Sequence, residues 1–368
     1  MIVILFNGNF VYSAYDIQEL YSVQGYQLEE FGQLCQDFRQ PVSYWHPNNQ
    51  NPANLARYTN TSISIAYQYN VEDDGGFYRP GPRIDPYLPQ SLAFITSTAK
   101  LAWGVSYSQR FNSGYSIQQT TPLHPDDGPI VEYGARVDSY ATHLGYHYFL
   151  DQEMWHSISI GAAYKYERLL LDTHWFSGSA TAASWSIGGA IEIGTDRPSA
   201  IILGAYFEKS TAFRKEFADT LWVHGSDGPV PGPITRYQLQ AQLPESFHLD
   251  LEYQLTSKLT LKYSVHHILW GKSIYFGEHQ YEYSGSAKYR LSAISLLAIG
   301  FSSSGFEWSQ PGDELGWEEN TNAVFLLAGY SRQIGPIRIN FSIADAHWTG
   351  GEWREQTICE LGVAYQVH

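Results

Sequence analysis

The sequence predicts an all-β chain: a transmembrane barrel of about fourteen antiparallel strands with an N-terminal hatch in its lumen. Three observations carry this. From Ile234 to Trp270 apolar and polar side chains alternate. Leu239, Ala241, Leu243, Phe247, Leu249, Leu251, Tyr253 and Leu255 take one face, against Gln240, Gln242, His248, Asp250, Glu252 and Gln254 on the other. Successive strand side chains point to opposite faces, so this is a ribbon with one apolar and one wet side. Its first arm, read as one strand of roughly 20 residues, far exceeds the 5–6 usual in soluble sheets. The second observation is composition: 28 Tyr, 11 Trp and 32 Gly, with only 16% charged residues, favour strands, interfacial girdles and turns. The third is that the connections alternate between tight turns and long loops.

The chain in order supports the same layout. Residues 1–14, with apolar Met1–Phe6 and small Ser13-Ala14, read either as a shortened signal remnant or as an ordinary N-terminus. Residues 15–60 do not alternate, and PVSYWHPNNQNPANLARY breaks helix and strand alike, so they are assigned to a compact segment inside the barrel. The barrel is expected over 61–368. Its strands read as SISIAYQY, SLAFITST, LAWGVSYSQRF, RVDSYATHLGYHYFL, HSISIGAAYKYERLLLD, SWSIGGAIEIG and SAIILGAYFEKSTAF, then the two arms of the opening ribbon around TSK. YEYSGSAKYR, ISLLAIGFSSSG, NAVFLLAGYSRQI, IRINFSIADAHW and the terminal TICELGVAYQVH complete the set. No internal repeat of fixed period is visible, which argues against a propeller.

Bulk numbers exclude several classes. A net charge of −15 makes nucleic acid an unsuitable partner. Two cysteines, Cys35 and Cys359, rule out a disulfide framework. No run approaches the roughly 18 apolar residues of a membrane helix. The mean hydropathy of −0.29 does not separate a soluble chain from a barrel, whose wet lumen and loops dilute the signal. No nucleophile elbow, phosphate loop or zinc signature occurs, so neither enzymatic activity nor a cofactor is expected.

Four stretches resemble the long-chain fatty-acid transporter family of outer membranes, the FadL-like barrels that include aromatic-hydrocarbon transporters. They are GYQLEEFGQ (25–33), the Asn51-Pro52-Ala53 triplet, LPESFHLDLEYQLTSKLTLKYSVHHILW (243–270) and AKYRLSA (287–293). The resemblance implies a monomeric barrel in the outer membrane of a Gram-negative bacterium, bathed in lipid and lipopolysaccharide. It implies capture of a hydrophobic small molecule, a fatty acid or hydrocarbon, at the extracellular loops. Release is then lateral, through a kink in the third strand beside the triplet. Here that strand is Leu101–Phe111, and Gly104 is the expected weak point, since an internal glycine marks a bend or a close backbone approach.

Strand phase places Lys165, Lys288 and Arg290 on the inner face, which makes them candidate carboxylate ligands; pairing with inward Glu167, Asp250, Glu252 or Glu282 is the competing role. Arg168 takes the outer phase. His143, His147, His248 and His266 fall on polar faces, where lumen hydrogen bonding competes with a metal or proton site. Trp103, Trp155, Trp185, Trp222, Trp270 and Trp348 read as interfacial girdle. Two other functions stay open: a porin-like or structural barrel for polar solutes, and a secreted soluble all-β carbohydrate-binding protein.

Overall fold

A computed structural model describes residues 51–72, 88–98, 100–118, 130–150, 155–173, 176–194, 200–225, 228–269, 280–304, 307–308, 319–320, 323–348 and 356–367. A short 3-10 helix, Pro52–Arg57, comes first. The strands that follow are β1 (Thr61–Glu72), β2 (Ser91–Ser97), β3 (Leu101–Gln118), β4 (Ile130–Phe149), β5 (Trp155–Thr173), β6 (Phe176–Ile193), β7 (Ile201–Glu208), β8 (Thr211–Gly225) and β9 (Gly228–Leu243). The second half comprises β10 (Glu245–Gln254), β11 (Leu259–Leu269), β12 (Gln280–Ser292), β13 (Ser295–Ser304), the short β14 (Glu307–Trp308) and β15 (Glu319–Asn320), β16 (Ala323–Ile334), β17 (Ile337–Asp345) and β18 (Gln356–Val367).

Fourteen of these strands form one closed antiparallel barrel, in the order β1-β18-β17-β16-β13-β12-β11-β10-β7-β6-β5-β4-β3-β2. Closure is made by β1 against β18, paired from Thr61↔Val367 to Glu72↔Gln356. The alternation read from the sequence is the alternation of the wall. On β5, Ser157, Ser159, Ala163, Lys165, Glu167 and Leu169 are buried on the inside, whereas Ile160, Tyr164 and Tyr166 are exposed outside. On β10 and β11, Phe247, Leu249, Leu251, Leu261 and Tyr263 are exposed, and His248, Glu252, Lys262, Ser264 and His266 are buried. A wall that is apolar outside and polar inside is the inverse of a soluble core and suits a bilayer.

The turns follow their residues. Thr256 Oγ1 accepts from the backbone N–H of Lys258 at 3.2 Å and of Leu259 at 2.9 Å, closing the β10–β11 turn that TSK predicts. Gly335 supplies the positive φ of +58° that the tight β16–β17 turn needs.

The opening ribbon is corrected. Its first arm is not one strand: Pro244 separates β9 from β10, and only β10 enters the barrel. Proline carries no N–H for a ladder, so the strand breaks there despite uninterrupted polar–apolar alternation. The predicted strand SAIILGAYFEKSTAF likewise divides into β7 and β8. β8 and β9 pair with each other from Thr211↔Leu243 onward as a separate two-stranded sheet, while β7 pairs directly with β10. Fourteen wall strands are kept because the two breaks cancel: both partners leave the wall together.

Among the girdle candidates, Trp103 and Trp185 are exposed on the outer phase of β3 and β6, and Trp348 follows β17 in the open. Trp270 lies outside the described residues, as do the side chains of Trp155 and Trp222 and the whole of 1–50. A charge on the outer face tests the membrane orientation. Leu249→Arg is expected to destabilise the barrel by about 2–4 kcal/mol if the site lies near the bilayer midplane, measured by denaturant unfolding in lipid vesicles.

Candidate functional site

The inner face of β4, β5 and β6 carries a row of glycines in register, Gly145↔Gly161↔Gly188. The row makes a groove without side chains, and the segment from Asn51 to Tyr58 lies in it. A Cβ at Gly161 would collide with the Pro52 carbonyl, one at Gly188 with Asn51 Oδ1, and one at Gly145 would stand 2.8 Å from the Ala56 nitrogen. The segment is self-supporting as well as docked. Asn51 is the N-cap of the 3-10 helix: its Oδ1 accepts from the Ala53 N–H at 3.1 Å, and its Nδ2 donates to the Gly189 carbonyl of the wall at 3.2 Å. A cap of this type stabilises a helix start by about 1 kcal/mol. Pro52 at the first helical position sacrifices no hydrogen bond, because that N–H has no helical partner.

Below the cap, Ala53 packs with Ala190 and Ile202, and Leu55 and Tyr58 pack with Ala93, Ile95 and Ala102 of β2 and β3. Arg57 closes the far end with a 3.3 Å ion pair to Glu192, whose Oε2 also accepts from Ser157 at 3.3 Å. His147 joins this region through a 2.8 Å hydrogen bond with Ser159. The Asn51-Pro52-Ala53 triplet therefore has three distinct physical tasks: cap, helix start and small packing residue.

On the other side of Asn51 along β6 the inner wall becomes polar, with Ser186 and then Ser184. Here a charged lattice crosses the lumen. Arg110 of β3 donates to Glu167 Oε1 of β5 at 2.6 Å and reaches Glu208 of β7 at 2.6 Å. Lys165 Nζ donates to the second oxygen of Glu208 at 2.7 Å. All four side chains are at most 10% exposed. Removing one partner from such a buried set costs about 3–5 kcal/mol, because the others are left charged and unpaired. Arg110 is positioned by the one irregularity in the β3–β4 ladder: pairing runs Gln109↔Asp138 and then Phe111↔Val137, which leaves Arg110 as the extra, bulged residue.

The histidines are distributed through the same wall. His143 shares a 2.9 Å hydrogen bond with Ser106. Tyr206, His248, His266 and Glu282 form one register row over β7, β10, β11 and β12. Tyr206 stacks on His248 at 5.0 Å, and His266 Nδ1 lies 3.6 Å from Glu282. Among the described residues no group of three or more His, Cys, Asp or Glu is arranged to hold a metal ion.

The sequence candidates thus fall into different places. Asn51, Pro52 and Ala53 converge on the glycine row. Gly104 faces inward next to Ile95, but β3 pairs regularly with β2 and β4 through it, and the break in register is at Arg110. Lys165 is inside and held by Glu208, a partner outside the four acids considered from phase. Lys288 is buried inside β12 and engaged by its surroundings. Arg290 has the inner phase but sits at the turn end, half-buried, donating to the Ser257 carbonyl at 3.3 Å. Arg168 is exposed on the outer face. Arg110 went unrecognised in the sequence, since a bulge leaves no trace in an alternation pattern, and Glu208, regularly paired on the inner phase of β7, was not singled out.

No family model and no curated protein sequence matches the chain. Solved structures do share its fold. The Ralstonia pickettii toluene transporter TbuX superposes with a TM-score of 0.55 at 13% identity, over 88% of this chain and 94% of its own. A Pseudomonas aeruginosa FadL homologue gives 0.56 at 10% identity over 92% and 98%, and the Pseudomonas putida toluene transporter TodX gives 0.52 at 13% over 97% and 98%. The chain has the closed barrel of these proteins.

The glycine groove yields a direct test. Gly161→Val is expected to dislodge the Asn51–Tyr58 segment at a cost of about 1–3 kcal/mol. It should be read as faster proteolysis within the segment and a lower melting temperature, with the barrel still resisting SDS at room temperature.

Proposed function

We propose that this protein resides in the outer membrane of a Gram-negative bacterium and transports hydrophobic compounds across it. The observation that carries this reading is the segment from Asn51 to Tyr58, built into the inner wall by a cap, an ion pair and three glycines. A segment fixed at so many points is a built part of the inner wall. The fold it shares with two toluene transporters and a FadL homologue supports the same class of cargo. Non-enzymatic action follows from the same reading: the inner wall supplies binding and occlusion, with no reaction assigned to it.

Release is sideways into the bilayer. An apolar ligand that crossed water would expose its surface at roughly 25 cal/mol per Å², a cost avoided by leaving through the wall. The seam beside β2 supports this route. β2 has 7 residues against 18 in β3, and its ladder with β3 ends at Ser91↔Ser108, one residue before the Arg110 irregularity begins. The protein works as a monomer in contact with lipid and lipopolysaccharide.

Uptake by cells expressing the protein decides the matter. Labelled toluene is expected to enter several-fold faster than in cells with an empty vector. Asn51→Ala, and Gly104→Val, whose Cβ would stand 2.7 Å from the Phe94 carbonyl, are each expected to lower that rate while the barrel folds. Steady ion conductance in planar bilayers without facilitated hydrocarbon or fatty-acid uptake would establish the porin reading instead.

A further inference from the structure

Glu208 is the centre of an arrangement that resembles an occupied ligand site. Two cations from different strands converge on its two oxygens, Arg110 at 2.6 Å and Lys165 at 2.7 Å, and the same Arg110 nitrogen also holds Glu167 at 2.6 Å. Guanidinium and ammonium groups placed this way are the standard means of holding a carboxylate. Here the carboxylates held are the protein's own. The balance extends through the interior: among the described residues six Lys or Arg and six Asp or Glu are buried, so no surplus positive charge greets an incoming anion.

The surroundings of Glu208 are polar and uncharged. Ser186 and Ser246 flank it in register on β6 and β10, Ser184 pairs with Lys165, and Thr211 opens the strand that follows. All four hydroxyls are buried at 1–2% exposure and have no hydrogen-bond partner among the described residues, and neither has Oε2 of Glu167. Buried hydroxyls both donate and accept, whereas a carboxylate oxygen only accepts. Leaving such groups unmade is unfavourable, so a native structure normally gives them a partner. The group that suits Ser186 and Ser246, which stand on either side of Glu208, is a neutral O–H. A second carboxylate would face Glu167 and Glu208 at close range.

We propose that Glu208 and Glu167 are specificity-determining residues that fill the Arg110/Lys165 site and reserve it for neutral, hydroxyl-bearing hydrophobic ligands, excluding carboxylates. Ser186 and Ser246, in register with Glu208 on either side, receive the ligand hydroxyl. The inference rests on the transport reading above and names the class of head group that reading leaves open.

Matched probes test it: dodecanol and dodecanoate, which differ only at the head, titrated against the full chain in nanodiscs. The unmodified protein is expected to bind dodecanol at least about tenfold more tightly than dodecanoate, a difference of 1.4 kcal/mol. Glu208→Gln should strengthen dodecanoate binding about tenfold by freeing Lys165 and one of the two carboxylate contacts of Arg110. The double variant Lys165→Gln/Glu208→Gln, which removes a cation with the anion, should show a smaller gain. Equal affinity of the unmodified protein for both probes overturns the proposal. So does a folded Glu208→Gln protein with no gain, and the first comparison decides even if that variant does not fold. Binding of neither probe, nor of toluene, overturns the transport reading itself.

Discussion

The structure depends on one constraint: in lipid, backbone N–H and C=O groups must be satisfied within the protein. Each unmade hydrogen bond there costs several kcal/mol, so a sheet crossing the bilayer has to close. The β1–β18 ladder meets this demand with an unbroken pairing over twelve positions, from Thr61↔Val367 to Glu72↔Gln356. Once the edges are joined, the two faces have separate tasks. The outer face must be apolar to sit in lipid, and the inner face becomes available for charge. The Arg110 lattice, the Tyr206–His248–His266–Glu282 row and the docked Asn51–Tyr58 segment all exist because closure creates an inside.

Much of the barrel was legible in the sequence, for a physical reason. Strand alternation has a period of two, and a membrane barrel enforces it on every wall strand, so the faces of Lys165, His248, Lys262 and Leu249 follow from phase alone. Turn chemistry was equally local at Thr256 and at Gly335. What phase could not convey was the path of the chain through space. Alternation continues from β9 across Pro244 into β10, yet the two strands lie in different sheets, because proline's missing N–H ends a ladder without altering which face a side chain takes.

The site was less legible. The Asn51-Pro52-Ala53 triplet stood out through the family resemblance alone: the sequence reads as breaking a helix there, whereas Asn51 and Pro52 cap and start a short 3-10 helix. Gly145, Gly161 and Gly188 lie on three strands, and nothing in their local sequence distinguishes a docking groove from ordinary strand glycines; the register had to be known. Arg110 shows the same limit. A bulge adds one residue to one strand, and its consequence is set by neighbours 57 and 98 positions away, Glu167 and Glu208. Lys165 was placed on the correct face, but its partner depended on β7 standing two strands away in the wall.

The hydrogen bond from Asn51 to Gly189 joins residues 138 positions apart, and its acceptor belongs to a strand far later in the chain than the donor. The groove that receives the segment does not exist until β4, β5 and β6 have paired, and closing so long a loop carries an entropic charge that only a formed surface can repay. Insertion of the segment is therefore a late step in assembly. The barrel wall acts as the mould, and the piece that precedes it in the sequence is cast last.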